Sequence, residues 1–139
     1  MSLILLDTHV LIWMIDNSPR IGPRTRSLIE QASMAGDLCI SAMTVWEIAM
    51  LDSKGRLNLD RDIQVWIDTV LDEGGLSLTP LAPKIAFAST RLPDGFHSDP
   101  ADRVIVATAR HLHAQLITED RLILSYADLG HVNAQSCSS

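Results

Sequence analysis

The sequence predicts an α/β fold, a central parallel sheet of about five strands with helices on both faces. Three observations carry that reading. Short, continuous apolar runs recur along the chain at a length suited to buried strands. Stretches with apolar residues at helical spacing separate them. Turn formers mark the changes from one to the other.

Residues 3–6, Leu-Ile-Leu-Leu, form the first run; it ends in Asp7-Thr8 and leads straight into an apolar stretch over residues 9–15, a buried strand running into a helix. Asn17-Ser18-Pro19 breaks that helix. Residues 25–35 form the next, with Leu28, Ile29 and Ala32 at helical spacing and Gly36-Asp37 at its end. Leu38-Cys39-Ile40 is the second strand, and Ser41 is placed to cap a helix carrying Val45, Ile48, Ala49 and Leu51, which Gly55 stops. Asp60 can cap a further helix, in which Ile63, Trp66, Ile67, Val70 and Leu71 make one face and which Gly74-Gly75 ends. Residues 76–79 read as a third strand, residues 83–91 as a helix and residues 92–98 as a loop rich in turn formers. Asp99-Pro100 opens a helix to about His113. Residues 115–118 are the fourth strand, residues 120–124 a short helix and residues 131–134 a fifth strand.

The chain has 139 residues, about one domain, and residues 1–139 are expected to fold as one, with no repeat or linker. Hydrophobic residues at 47% and charged residues at 20% exclude a disordered chain. The first residues lack a basic segment and a cleavage site, and no apolar run approaches the roughly 18 residues of a membrane span. The expectation is a soluble, cytoplasmic protein without a membrane partner. Cys39, in an apolar stretch, and Cys137, in a polar tail, form neither a zinc spacing nor a disulfide framework and are expected as free thiols. The net charge of -6 argues against a simple electrostatic nucleic-acid binder. A phosphodiester substrate fits so acidic a protein only if several acids converge on a divalent metal, which reverses the local charge.

Four acids are placed to do this. Asp7 follows the first strand, Glu47 is early in the helix after the second, Asp102 is in the first turn of a later helix, and Asp120 follows the fourth strand. All fall at the carboxyl edge of the predicted sheet, where open parallel sheets bind ligands. Hard oxygen ligands suit Mg²⁺ or Mn²⁺, and no histidine pair or cysteines stand at comparable places to favour zinc. Each acid also has a purely structural explanation: a strand end, a helix start or a solvated helix position. Asp99 is the hardest to assign, because it serves equally as the cap of the helix that Pro100 opens. The joint case is stronger, since apolar residues flank Asp7, surround Glu47 and follow Asp102, and charges beside a packed core are costly unless paired or metal-bound.

The segments Leu5-Leu6-Asp7-Thr8-His9, Ser41-Ala42-Met43-Thr44-Val45-Trp46-Glu47-Ile48, residues 97–109 (His-Ser-Asp-Pro-Ala-Asp-Arg-Val-Ile-Val-Ala-Thr-Ala) and Leu116-Ile117-Thr118-Glu119-Asp120 resemble, in order, the successive motifs of PIN-domain ribonucleases. More narrowly, the chain resembles the VapC-type toxins of toxin–antitoxin pairs; a PIN-domain nuclease in RNA processing without a toxin role is the alternative within the family. The resemblance implies a PIN-like fold, Asp7, Glu47 and Asp102 as central acids with Asp120 as a more variable fourth, and Thr8 and Thr118 as polar residues beside them. Asp99 is a further metal ligand in the subgroup that the His-x-Asp-Pro-x-Asp-Arg stretch resembles. Products with a 5′-phosphate and a 3′-hydroxyl are implied too, as is a cognate antitoxin whose tail brings an arginine to the acids.

His111 and His113 sit late in a helix, where the dipole favours a cation without any function. His97, beside the acidic pair, is the histidine placed to touch substrate. Trp13, Trp46 and Trp66 fall on apolar helical faces and read as core or interface. Arg20, Arg24 and Arg26, and the patch Lys54-Gly55-Arg56, are either solvated or rim contacts for RNA phosphates. The expected chemistry is metal-assisted hydrolysis of single-stranded RNA. One rival is a phosphatase or phosphoryl acceptor with Asp7 as nucleophile, disfavoured because His9 stands where a second Asp is wanted. Another is a partner-binding module using metal only to fold. Met34, Met43, Met50 and the tryptophans also point to a homodimer.

Overall fold

A computed structural model describes residues 3–59 and 61–139. Five strands, β1 (Ile4–Leu6), β2 (Leu38–Ser41), β3 (Ser77–Thr79), β4 (Gln115–Thr118) and β5 (Ala134–Ser136), form one sheet in the order β3-β2-β1-β4-β5, with every neighbouring pair parallel. The α-helices are α1 (Thr8–Ile15), α2 (Pro23–Ala35), α3 (Ala42–Ser53), α4 (Ile63–Glu73), α5 (Pro83–Ser89), α6 (Pro100–Leu112) and α7 (Arg121–Asp128). Pro93–Gly95 adds a short 3-10 turn.

Period-two alternation in the strands splits the interior into two cores. Ile4, Leu6, Leu38, Ile40 and Ile117 face α1, α2 and α4, meeting Val10, Leu11, Ile29, Trp66, Ile67 and Val70. Leu5, Cys39 and Leu116 face the opposite way onto α5, α6 and α7, meeting Ile85, Val104, Ile105, Ile123 and Tyr126. Both faces of the sheet are therefore covered by helices, which is what continuous apolar strands require.

The boundaries follow local chemistry. Asp7 and Ser41 cap α1 and α3 with no intervening loop, and Gly36, at φ 77°, closes α2 in a left-handed conformation that costs glycine little. Asp60 lies outside the described residues; the cap of α4 is Asp62, whose carboxylate accepts from Gln64 N at 3.1 Å. Three expectations need correction. The last strand is Ala134–Ser136 rather than residues 131–134, because Val132 drops into the core and Asn133 O accepts Leu116 N, delaying the ladder to Ala134. The helix at Asp120 runs to Asp128, since Ile123 and Tyr126 continue a buried stripe. Ala49 is exposed on α3 and takes no part in its buried face.

The strand order positions the site. The chain builds outward from β1 through β2 to β3, then crosses through α5 and α6 to β4 on the other side of β1. The order reverses between β1 and β4, and at such a switch point the connections leaving the two strand ends diverge and open a crevice.

Candidate functional site

Asp7 and Asp120 leave the carboxyl ends of β1 and β4, the two strands flanking the switch point. Asp7 is held by its own strand end: its N–H donates to Ile117 O at 3.0 Å, Oδ1 accepts from Thr8 N at 2.8 Å, and Oδ2 accepts from Thr118 Oγ1 at 2.6 Å. Thr118 Oγ1 in turn accepts from Asp120 N at 3.0 Å, so one buried hydroxyl sets both acids. Glu47 reaches in from α3, with Thr8 Oγ1 donating to Oε1 at 2.5 Å, and Thr8 is also hydrogen-bonded to the buried Thr44 hydroxyl at 3.1 Å.

Asp99 and Asp102 arrive on the start of α6. Asp99 stands at the N-cap, yet its side chain makes no capping hydrogen bond, so the structural reading of that residue is not realised. Asp120 is the opposite case, a working cap whose Oδ1 accepts from Leu122 N at 2.8 Å and Ile123 N at 3.2 Å. His97 Nε2 lies 3.1 Å from Asp102 Oδ2, and among the described residues that nitrogen makes no hydrogen bond.

All five acids line one cleft of about 460 Å³, together with His9, Trp13, Arg20 and Glu119. Its electrostatics follow from burial and like charge. The carboxyl of Asp102 is pushed up to about 8, first by burial, then by the charges of Asp99, Asp120 and Asp7. Burial raises Asp7 and Glu47 as well, against the hydrogen bonds from Thr118 and Thr8 that favour their ionised forms. Among the described residues, no three such groups already stand at metal-holding distance from one point. Asp7, Glu47 and Asp102 are thus oxygen donors whose ionised state is unfavourable without a cation.

Several contributors were given no role by the sequence. Arg103, though inside the quoted motif, is seen only in the fold to donate to Ser89 O at 2.8 Å, Phe96 O at 2.6 Å and His97 O at 3.0 Å, tying the loop before Asp99 to α5. Thr44 and Glu119 lie inside the motif segments, but only the fold reveals that one supports Thr8 and the other lines the cleft. Trp46 is 56% exposed, so of its two readings, core and interface, the core one does not hold; it lies over a more apolar groove of about 560 Å³ shared with Met43, Met50, Leu81 and Pro100. Cys137, in a polar tail, is nevertheless fully buried, since residues 137–139 fold back along residues 22–24; both cysteines are free thiols.

The chain matches the PIN domain over residues 4–129 and belongs to that family. It is 30% identical to Ribonuclease VapC22 of Mycobacterium tuberculosis over 126 residues, covering 91% of this chain and 93% of that one. A chain of VapBC2 from Rickettsia felis, crystallised with a DNA fragment from its promoter, superposes with a TM-score of 0.71 at 17% identity, covering 96% of this chain and 98% of that one. A chain of FitAcB from Neisseria gonorrhoeae gives 0.65 at 22% identity, with 97% and 98% covered.

Proposed function

We propose that this PIN-domain protein is a divalent-metal-dependent endoribonuclease that hydrolyses single-stranded RNA and acts as the toxin of a type II toxin–antitoxin pair. The observation that supports it most is the convergence of Asp7, Glu47, Asp99, Asp102 and Asp120 on one cleft at the switch point. The activity named for the curated relative agrees with it.

The donor set fits a hard cation. It is carboxylate oxygen throughout, and the raised Asp102, Asp7 and Glu47 are groups whose ionised forms a cation would stabilise. Asp7, Glu47 and Asp102 would hold Mg²⁺ or Mn²⁺, joined by Asp99 and Asp120. A bound ion would supply Lewis acidity, offsetting phosphate charge and making a water acidic enough to attack near neutral pH.

The chain's own residues do the rest. Thr118 and Thr8 fix the carboxylates of Asp7 and Glu47 by donating to them, so these groups keep their orientation without a ligand. Asp120 has Oδ1 engaged as a cap, and among the described residues Oδ2 accepts from no donor, which suits a supporting ligand better than a central one. Arg103 holds the loop that sets Asp99 and Asp102.

A cognate antitoxin is the expected partner, in keeping with the VapBC complexes among similar structures. An antitoxin arginine reaching the acids would replace the metal's charge, so raising Mn²⁺ should weaken inhibition. A homodimer is proposed through the groove at Trp46 and Leu81, with light scattering at micromolar concentration as its test; a strict monomer rejects it. The activity itself is tested by incubating single-stranded RNA with the protein and Mg²⁺ or Mn²⁺. EDTA and Asp7→Asn should each abolish cleavage, and full cleavage in EDTA would refute the metal.

A further inference from the structure

Resting on the ribonuclease reading, one cation in the cleft stands out. Arg20 lines the cleft among the acids. Yet among the described residues no carboxylate lies within ion-pairing distance of its guanidinium. The guanidinium carbon instead lies 4.9 Å from the centre of the Trp13 ring. Stacking on an indole uses the face of the guanidinium and leaves its in-plane N–H donors directed outward.

The backbone under Arg20 is held more firmly than a solubilising residue requires. Arg20 N donates to Ser18 Oγ at 3.2 Å, and Arg26 Nη2 donates to Ser18 O at 3.1 Å. Cys137 Sγ lies 3.7 Å from Arg20 O, and Gly22 N donates to Cys137 O at 2.8 Å. Arg24 N donates to Ser139 O at 2.9 Å. The approach is so close that a Cβ on Gly22 would fall 2.1 Å from the Ser139 carbonyl carbon. Of the three neighbouring arginines, Arg26 is engaged on Ser18 O and Arg24 does not line the cleft.

We propose that Arg20 is the phosphate-binding residue of this cleft: it holds a backbone phosphate of the RNA beside the acids. Trp13 orients its guanidinium, and residues 137–139 fix its loop. The planar fork matches two phosphate oxygens, and a positive group on this wall counters the repulsion between an acidic cleft and a polyanion. Trp13 and Gly22 are positioning residues.

The test uses Arg20→Gln, which keeps much of the stem and removes the charge, with thermal melting to confirm an intact fold. Binding of a fluorescein-labelled single-stranded oligoribonucleotide is followed by anisotropy in the Asp7→Asn background, where cleavage is suspended. R20Q should weaken binding about tenfold and lower the slope of log affinity against log salt by about 0.7, one phosphate on a single strand. A methylphosphonate strand of the same sequence should show no such loss. In the cleaving protein, R20Q should raise KM about tenfold and change kcat less than about threefold. Gly22→Ala should raise KM in the parent and add nothing in R20Q. Unchanged affinity and salt slope in a folded R20Q protein, or an equal loss with the neutral strand, would overturn the assignment. Because binding is read without turnover, absence of cleavage by the parent would count against the ribonuclease reading and leave the Arg20 result standing.

Discussion

Single carboxylates in this molecule separate into caps and candidate ligands by what their oxygens touch. Asp120 caps α7 and Asp99 caps nothing, although both stand at a helix N-cap. Replacing Asp120 by Ala should therefore cost about 1 kcal/mol of stability, whereas Asp99→Ala should leave stability in the metal-free protein unchanged or slightly higher. Urea melts of the two variants check this, and equal losses would contradict it. Thr118 serves two acids through one buried hydroxyl, so Thr118→Val should cost about 1–2 kcal/mol and also lower cleavage. The acids themselves were legible in the sequence, because a charge pressed against an apolar run stands out there. Arg20 was not separable from Arg24 and Arg26, since only the path of the loop along residues 137–139 aims one of them at the cleft.

At the scale of elements, the site depends on how two helices begin. α1 starts directly after β1, with Asp7 between them as both cap and candidate ligand, and Asn serves well at that position, so Asp7→Asn should fold normally. α6 begins after a loop whose Phe96 and His97 carbonyls accept from Arg103, which also donates to Ser89 O of α5. Arg103→Ala should cost about 2–4 kcal/mol and lower metal affinity, measured by melting and by calorimetry with Mn²⁺. Unaltered metal affinity in a folded variant would show that the loop does not set Asp99 and Asp102. Most helix starts were readable because Ser41, Pro100 and Asp120 carry standard capping chemistry. The last strand was not, because three residues with one short side-chain pattern fit several registers, and the pairing of Leu116 with Ala134 decides among them.

For the whole molecule, the parallel α/β architecture was visible in the alternation of apolar runs with helical stripes, but the strand order was not. Nothing local to β4 says that it pairs with β1 rather than β3, and it is that pairing which brings Asp7 beside Asp120. The clustered charge has a global consequence. Asp102 has a folded-state pKa near 8, above its ordinary unfolded value, so it favours the folded metal-free protein at low pH and this contribution is lost as pH rises through about 8. Metal-free Tm should fall over that range, and Asp102→Asn should raise Tm at pH 8 by about 3–6 °C. Metal affinity should rise with pH across the same window, because the ion competes with the proton on Asp102. The central claim is that the converged acids make a metal-dependent nuclease, and the most direct measurement is cleavage of a labelled single-stranded RNA across a Mn²⁺ titration by the parent and by Asp7→Asn. Cleavage that saturates with Mn²⁺, vanishes in EDTA and is absent from a folded Asp7→Asn protein is the predicted result; cleavage independent of the metal, or retained in full by Asp7→Asn, would contradict the account.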